Sequence, residues 1–344
     1  MRSVAQTIHV ARDQWHLKWD RSISPIATIA SGDVIDFDLL DASCGQIGPD
    51  ATVETISNLD FSRVDQVNGP IYVTGAEPGD TLQVEILDVR PADWGWTAII
   101  PGFGLLADEF PEPALKIWRL ADGWAEFASG IRIPLDPFCG EIGLAPGAAG
   151  ELSTIPPYRH GGNMDTKHLT KGATLYLPVE APGALYSMGD GHAAQGDGEV
   201  CGTAIETPMH ATVRLTVRKD LAVPEPQFLT RGPLAPRTNT APYYAADGIA
   251  PDLLEAARKA VRHMIAYLER TYSISRPQAY MLCSVAVDLK ISEVVDAPNW
   301  IITAFLPQSI FTATEAQPAT DETTGASGDH HKLRRFGFLL KRGG

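Results

Sequence analysis

The stretch GDVIDFDLLDA at 32–42 alternates strictly: Ile35, Phe37 and Leu39 share one face, while Asp36 and Asp38 share the other. Successive side chains of a strand point to opposite faces, so this pattern predicts a strand with one buried and one wet side. GDTLQVEILDV at 79–89 repeats the pattern, with Leu82, Val84 and Ile86 opposite Gln83 and Glu85. HATVRLTVRKD at 210–220 does so again, with Val213, Leu215 and Val217 against Arg214, Thr216 and Arg218. The first two segments share Gly-Asp, an alternating run and then Leu-Asp, and KGATLYLPVEAPGALYSMGD at 171–190 is a looser third copy. The copies are too irregular for stacked repeats. The expected fold is therefore mainly β, a β-sandwich-like core of short antiparallel strands.

Outward from these strands the pattern changes. Residues 91–150 are rich in Pro, Gly and Trp and predict long ordered loops over the sheet ends. Trp94, Trp96, Phe103 and Phe138 are read there as packing beneath loops, with cover of a substrate pocket the alternative. At 251–272, Leu253, Leu254, Ala257, Val261, Met264, Ile265 and Leu268 recur at helical spacing, and Pro251 suits a first turn. A second helix is expected near 276–288 behind Ser275 as N-cap, then a buried strand at 300–307. The expected organisation is a β-rich domain over 1–220, a C-terminal α/β portion over 221–307 and a flexible tail over 308–344. The tail is low in apolar residues and rich in Thr, Ser, Ala and acids before a short basic end.

Composition bounds the partners. The 31 glycines and 26 prolines favour many turns, and a formal net charge of -14 opposes binding to nucleic acid. No basic segment followed by an apolar run opens the chain, and no apolar stretch is long enough for a membrane span, so a cytoplasmic protein is expected. The four cysteines, Cys44, Cys139, Cys201 and Cys283, are spaced for neither a zinc ribbon nor a redox pair.

Two glycine-rich stretches carry the chemistry. HGGNMDTKHL at 160–169 and GDGHAAQGDGEVCGTAIE at 189–206 bring His160, Asn163, Asp165, His168, Asp190, His192, Asp197, Glu199 and Glu206 into one short region. Glycine permits tight turns and close backbone approach, and oxygen and imidazole donors on such a frame suit a divalent metal or an acid/base site. Asp190 and Asp197, each between glycines, are also placed to close turns through their own backbone, and His168 suits a surface or cap position. His192 is flanked by small residues and has nothing apolar nearby in sequence to pack on.

These two stretches, with SISPIATIASGDVIDFDLLDASCGQI at 22–47, resemble the acetamidase/formamidase family of amide hydrolases, over about His16 to Pro307. The resemblance implies hydrolysis of short aliphatic amides to ammonia and a carboxylate. It also implies a β-rich core with a smaller α/β part and assembly into homo-oligomers.

Amide cleavage needs an activated nucleophile, a pocket for the oxyanion and an acid for the departing nitrogen. Asn163, Asp165 and His192 are the expected metal ligands, zinc being favoured over calcium because imidazole suits it. Glu199 is expected to activate water and His160 to contact substrate or relay a proton. Asp190 and Glu206 would support the ligands, with Asp41 more distant. One alternative keeps the hydrolase and changes the substrate to a larger amide or related C–N compound, and two other readings change the site itself. In the first, Cys201 is a nucleophile in a metal-free site with Lys167 facing the oxyanion. In the second, the loops form a non-catalytic site for a cation or small ligand.

Overall fold

The computed structural model describes residues 7–232, 234 and 241–312. The strands that build the site are β1 (Val34–Leu39), β2 (Val67–Val73), β3 (Thr81–Pro91), β4 (Trp94–Ile99) and β5 (Phe138–Gly143). They are followed by β6 (Gly161–Asn163), β7 (Thr174–Pro178), β8 (Tyr186–His192) and β9 (Met209–Arg218). One sheet runs β1-β9-β3-β7 with short strands at both edges, and its four central strands are antiparallel. A second sheet runs β6-β5-β8-β2, again antiparallel and again with short edge strands.

The alternation seen in the sequence becomes the register of the first sheet. Val213 of β9 faces Ile35 on one side and Ile86 on the other, and Leu215 faces Val84. Ile35, Phe37, Leu82, Val84, Val213 and Leu215 are fully buried and join Ile71, Ile142, Tyr186 and Met188 of the second sheet in one apolar core. Two sheets sharing such an interlayer form a β-sandwich. Truncating Phe37 to Ala in this layer would cost about 3–5 kcal/mol.

The C-terminal portion comprises β10 (Tyr243–Ala250), α1 (Leu253–Tyr272), α2 (Arg276–Ala286), β11 (Asp288–Glu293) and β12 (Trp300–Pro307), with sheet order β10-β12-β11. Asp252 caps α1 by accepting from Glu255 N at 2.9 Å. The buried face is Ala256, Ala260, Val261, Met264, Ile265 and Leu268, whereas Leu253 and Leu254 are exposed. The expected stripe therefore begins one turn late, because the first turn does not pack on the core. Ser275 caps α2 in a capping box with Gln278, and this helix stops at Ala286 rather than 288, where Asp288 opens β11.

The second core takes residues from both sides of position 220. Trp118, Phe127 and Val200 pack with Val261, Met264, Tyr280 and Leu306. Of the expected tail, Gln308–Ile310 form a single 3₁₀ turn, and residues 313–344 lie outside the described part.

Candidate active site

Strand β8 carries the second glycine-rich stretch from the sandwich into the C-terminal core. Met188 belongs to the sandwich core, while Ala193, Ala194, Val200, Cys201 and Ile205 belong to the other. The loop between them is clasped by α2. Ser284 Oγ donates to Thr203 O at 2.8 Å and accepts from Cys201 N at 3.1 Å, and Tyr280 Oη donates to Val200 O. The chain then returns past β4, where Trp96 and Glu206 exchange backbone hydrogen bonds at 2.8 Å. Glu206 also bridges His192 across the turn, which sets the carboxylate beside the imidazole.

His192 is the centre of the arrangement. It is buried, with Phe138 edge-on at 5.0 Å between ring centroids. Its Nε2 lies 3.0 Å from Asp190 Oδ2, 3.1 Å from Glu206 Oε2 and 4.0 Å from Glu199 Oε1. Its Nδ1 lies 2.8 Å from Gln195 Oε1 and 3.9 Å from Asp165 Oδ1. Gln195 Nε2 donates to Asp165 O at 2.8 Å, so the amide oxygen is the atom turned to the ring. An amide oxygen only accepts, so Nδ1 carries the hydrogen and Nε2 is the atom presented to the carboxylates.

Backbone conformation reinforces the convergence. Asp65, Asp165, Asp190 and Glu199 have φ of 54°, 45°, 55° and 42°, four of the nine non-glycine residues at positive φ among those described. Left-handed backbone is unfavourable for side chains with a Cβ, least so for Asp, and it clusters where surrounding structure forces a functional geometry. Gly140 makes the approach possible: a Cβ there would collide with Asp190 Oδ2 and lie 2.5 Å from Asp165 Oδ1.

The carboxylates crowd one another, and their titration reflects it. Burial pushes Asp165 up to about 7, with the Asp190 charge adding to the effect. Burial pushes Glu206 up to about 8, against the opposing pull of His192. Glu199, Asp65 and Glu141 are driven well above the carboxylate range, by burial first and then by their acidic neighbours. Burial would raise Asp190 too, but the charge and hydrogen bond of His192 outweigh it and hold this group low. For His192 burial disfavours the cation, yet Asp190 and Glu206 overcome it and raise the imidazole well above its ordinary value.

Donor atoms of Asp165, His192 and Glu199 lie within 4.8 Å of one another, as do those of Asp190, His192 and Glu206. Asp165 Oδ1, Asp190 Oδ1 and Glu206 Oε2 are buried without a hydrogen bond. Unsatisfied buried oxygens converging on an imidazole are a donor set that fits a divalent cation. They line a cavity of about 420 Å³ together with Asn163, Asp65, Trp96 and Phe103.

The other expected residues fall differently. Asn163 lines the cavity and donates to Ile155 O at 3.0 Å, leaving Oδ1 without a partner. Asp41 stands behind the wall, where its Oδ1 accepts from Trp96 Nε1 at 3.0 Å and from Ser43. His160 does not line the cavity: it stacks on Tyr158 at 5.3 Å, with Trp19 edge-on at 6.1 Å, and Gly161 and Gly162 at φ 97° and 107° turn the chain between it and Asn163. Lys167 also points elsewhere, pairing with Asp288 and, at 3.5 Å, Asp197. Cys201 is buried outside the cavity, its Sγ 3.4 Å from Ala98 O, and burial pushes the thiol up and away from the thiolate a nucleophile needs. Trp96 and Phe103, read as packing, line the cavity, whereas Phe138 packs on His192 and Trp94 lies outside.

Three residues of the cluster escaped the sequence reading. Glu141 is fully buried on β5 with neither carboxylate oxygen hydrogen-bonded, and an acid inside the otherwise uncharged FCGEIG was the available signal. Gln195 lies inside the second stretch, where an uncharged amide among acids and glycines gives no signal of its own. Asp65, in the turn before β2, carried no distinguishing pattern.

Among the described residues no helix is long and apolar enough to cross a membrane. Residues 3–151 and 147–313 match the Acetamidase/Formamidase family profile. The formamidase of Methylophilus methylotrophus is 30% identical, over 87% of this chain and 89% of its own. Among solved structures, the gamma lactamase from Delftia acidovorans superposes with a TM-score of 0.82 at 27% identity, covering 90% of this chain and 92% of that one. The acetamidase from Bacillus halodurans superposes with a TM-score of 0.63 at 33% identity, covering 87% and 97%. The chain belongs to the Acetamidase/Formamidase family, hydrolases of linear amide C–N bonds.

Proposed function

We propose that the carboxylate-rich cavity is where this amidase cleaves short aliphatic amides, formamide and acetamide among them, to ammonia and a carboxylate with the help of a divalent cation. The observation that carries the reading is the convergence of Asp165, Asp190, Glu199 and Glu206 on one buried imidazole, with oxygens left unsatisfied. His192 through Nε2, with Asp190 and Glu206, would hold the ion; the imidazole favours zinc over calcium. When bound, such an ion supplies Lewis acidity for the amide carbonyl and for water.

The protein's own groups do the rest. Glu199, facing the cavity, takes the proton of the attacking water and returns it to the departing nitrogen. Gln195 holds the imidazole at Nδ1, which leaves Nε2 free to face the ion. Asn163 Oδ1 accepts from the amide N–H of the substrate. Asp41 keeps the Trp96 ring upright as a wall.

The test is metal analysis of purified protein with ammonia release from formamide and acetamide, in wild type and His192→Ala. About one divalent ion per chain and a loss of at least about 100-fold in the variant are expected. Undiminished turnover in His192→Ala would remove the imidazole from the reaction. We further propose a cytoplasmic homo-oligomer that does not bind nucleic acid. The free cysteines, the acidic net charge and the exposed Leu254, Ile291 and Val295 support it. Size-exclusion chromatography with light scattering tests the assembly.

A further inference from the structure

The cavity is far larger than the substrates just named. Allowing each heavy atom a water's share of about 30 Å³, the four heavy atoms of acetamide fill at most about 120 Å³. The cavity measures about 420 Å³, so more than two thirds of it would remain as water. The acidic residues gather round His192, whereas Leu59, Phe61, Val64, Ile100, Phe103 and Met164 make much of the remaining lining, interrupted by Ser43, Asn163 and Thr203. Water held against such walls gives up free energy that an apolar group would recover by displacing it.

The mouth points the same way. Phe61 and Phe103 are 42% and 39% exposed, and their rings meet edge-on at 6.2 Å. Aromatic rings left half-exposed at the rim of a partly apolar cavity offer a ready face to a flat or branched ligand group. Phe103 is also held in place, since it packs so closely on Gly202 that a Cβ there would lie 2.5 Å from its ring.

We propose that the preferred substrates are primary amides with a bulky apolar acyl group, aryl or branched alkyl, of which acetamide is the truncated case. Ammonia is the leaving group of the family's reaction, which places the apolar group on the acyl side. The reaction is unchanged: water adds to the carbonyl carbon, the C–N bond breaks, and the nitrogen leaves as ammonia with a carboxylate behind. The proposal rests on the amidase reading of the same cavity and adds the chemistry of its apolar wall.

The experiment measures kcat/KM from ammonia release for formamide, acetamide, butyramide, benzamide and phenylacetamide with the metal-replete enzyme. One methylene in an apolar pocket is worth roughly 10–200-fold, so phenylacetamide should exceed acetamide by at least about 100-fold. Phe103→Ala should reduce the phenylacetamide-to-acetamide ratio by at least about 10-fold, and a ratio discounts any loss of folded enzyme. Efficiency that peaks at formamide or acetamide and falls with acyl size overturns the proposal while leaving the amidase reading intact. A ratio unchanged in Phe103→Ala also overturns it, and ammonia from none of the amides overturns both.

Discussion

Gly140 is the residue on which the carboxylate cluster depends. Its missing Cβ leaves the space that Asp165 Oδ1 and Asp190 Oδ2 occupy. Gly140→Ala should cut kcat/KM by at least about 100-fold through displacement of these two groups. Thermal unfolding should move little, because the sandwich layers keep their contacts; a variant of full activity would show that the two carboxylates need not converge. Gln195 acts at the same scale through His192. Gln195→Leu removes the acceptor that keeps hydrogen on Nδ1 and should lower divalent-metal affinity about 10–100-fold, read by competition with a chromophoric chelator. Gln195→Glu keeps an acceptor at that nitrogen and should recover most of the affinity. Equal losses in both variants would mean that Gln195 serves packing alone.

Helix α2 is the element that gives the second glycine-rich stretch its shape. Beyond the core contacts of Ala193, Ala194, Val200, Cys201 and Ile205, the path of the stretch is imposed by the hydroxyls of Tyr280 and Ser284 and by close approach, as at Gly196, where a Cβ would lie 2.8 Å from Val287 N. Tyr280 Oη also accepts from Leu106 N at 2.8 Å, so it ties the loop to residues before it in the chain. Tyr280→Phe strands the buried N–H of Leu106, while Val200 O keeps Leu105 N at 2.9 Å, and should destabilise the protein by about 1–3 kcal/mol, measured by denaturant unfolding. It should also weaken metal retention, because Glu206 follows directly on the segment that loosens. A stability loss without a change in metal content would separate the clasp from the site. The helix itself was readable from spacing and its Ser275 cap; its contact with the loop was not, since the hydroxyl partners lie about 80 positions away.

For the whole molecule the carboxylate cluster is an electrostatic burden placed where two cores meet. Asp165 at about 7 and Glu206 at about 8 lie above the unfolded carboxylate range near 4. Between those limits the folded state binds more protons than the unfolded chain, so stability of the metal-free protein is lost as pH rises through the window. His192, also raised, acts with the same sign. A divalent cation replaces those protons, and its binding weakens where protons compete. Metal-stripped protein should therefore unfold at a lower temperature at pH 8 than at pH 5. Added cation should restore more stability at pH 8, on the order of 2.7 kcal/mol at a hundredfold excess over Kd. An equal or larger gain at pH 5 would contradict this linkage.

What the chain determined by itself is what local periodicity and local chemistry can carry. Ile35, Phe37 and Leu39, and their counterparts at 82–86 and 213–217, had to face a core, because a one-residue slip would drown every apolar side chain. The acidic and imidazole donors of the second stretch likewise announced polar chemistry, and the sandwich brought Asp165, Asp190, His192, Glu199 and Glu206 together. Only the tertiary structure decided which polar residues belong. His160, three positions from Asn163, turned to Tyr158 and Trp19, while Asp65 and Glu141 arrived from distant turns and strands. A cluster of like charges offers no local pattern, since its members are selected by how two sheets and a helix-clasped loop meet in space rather than by their neighbours in the chain.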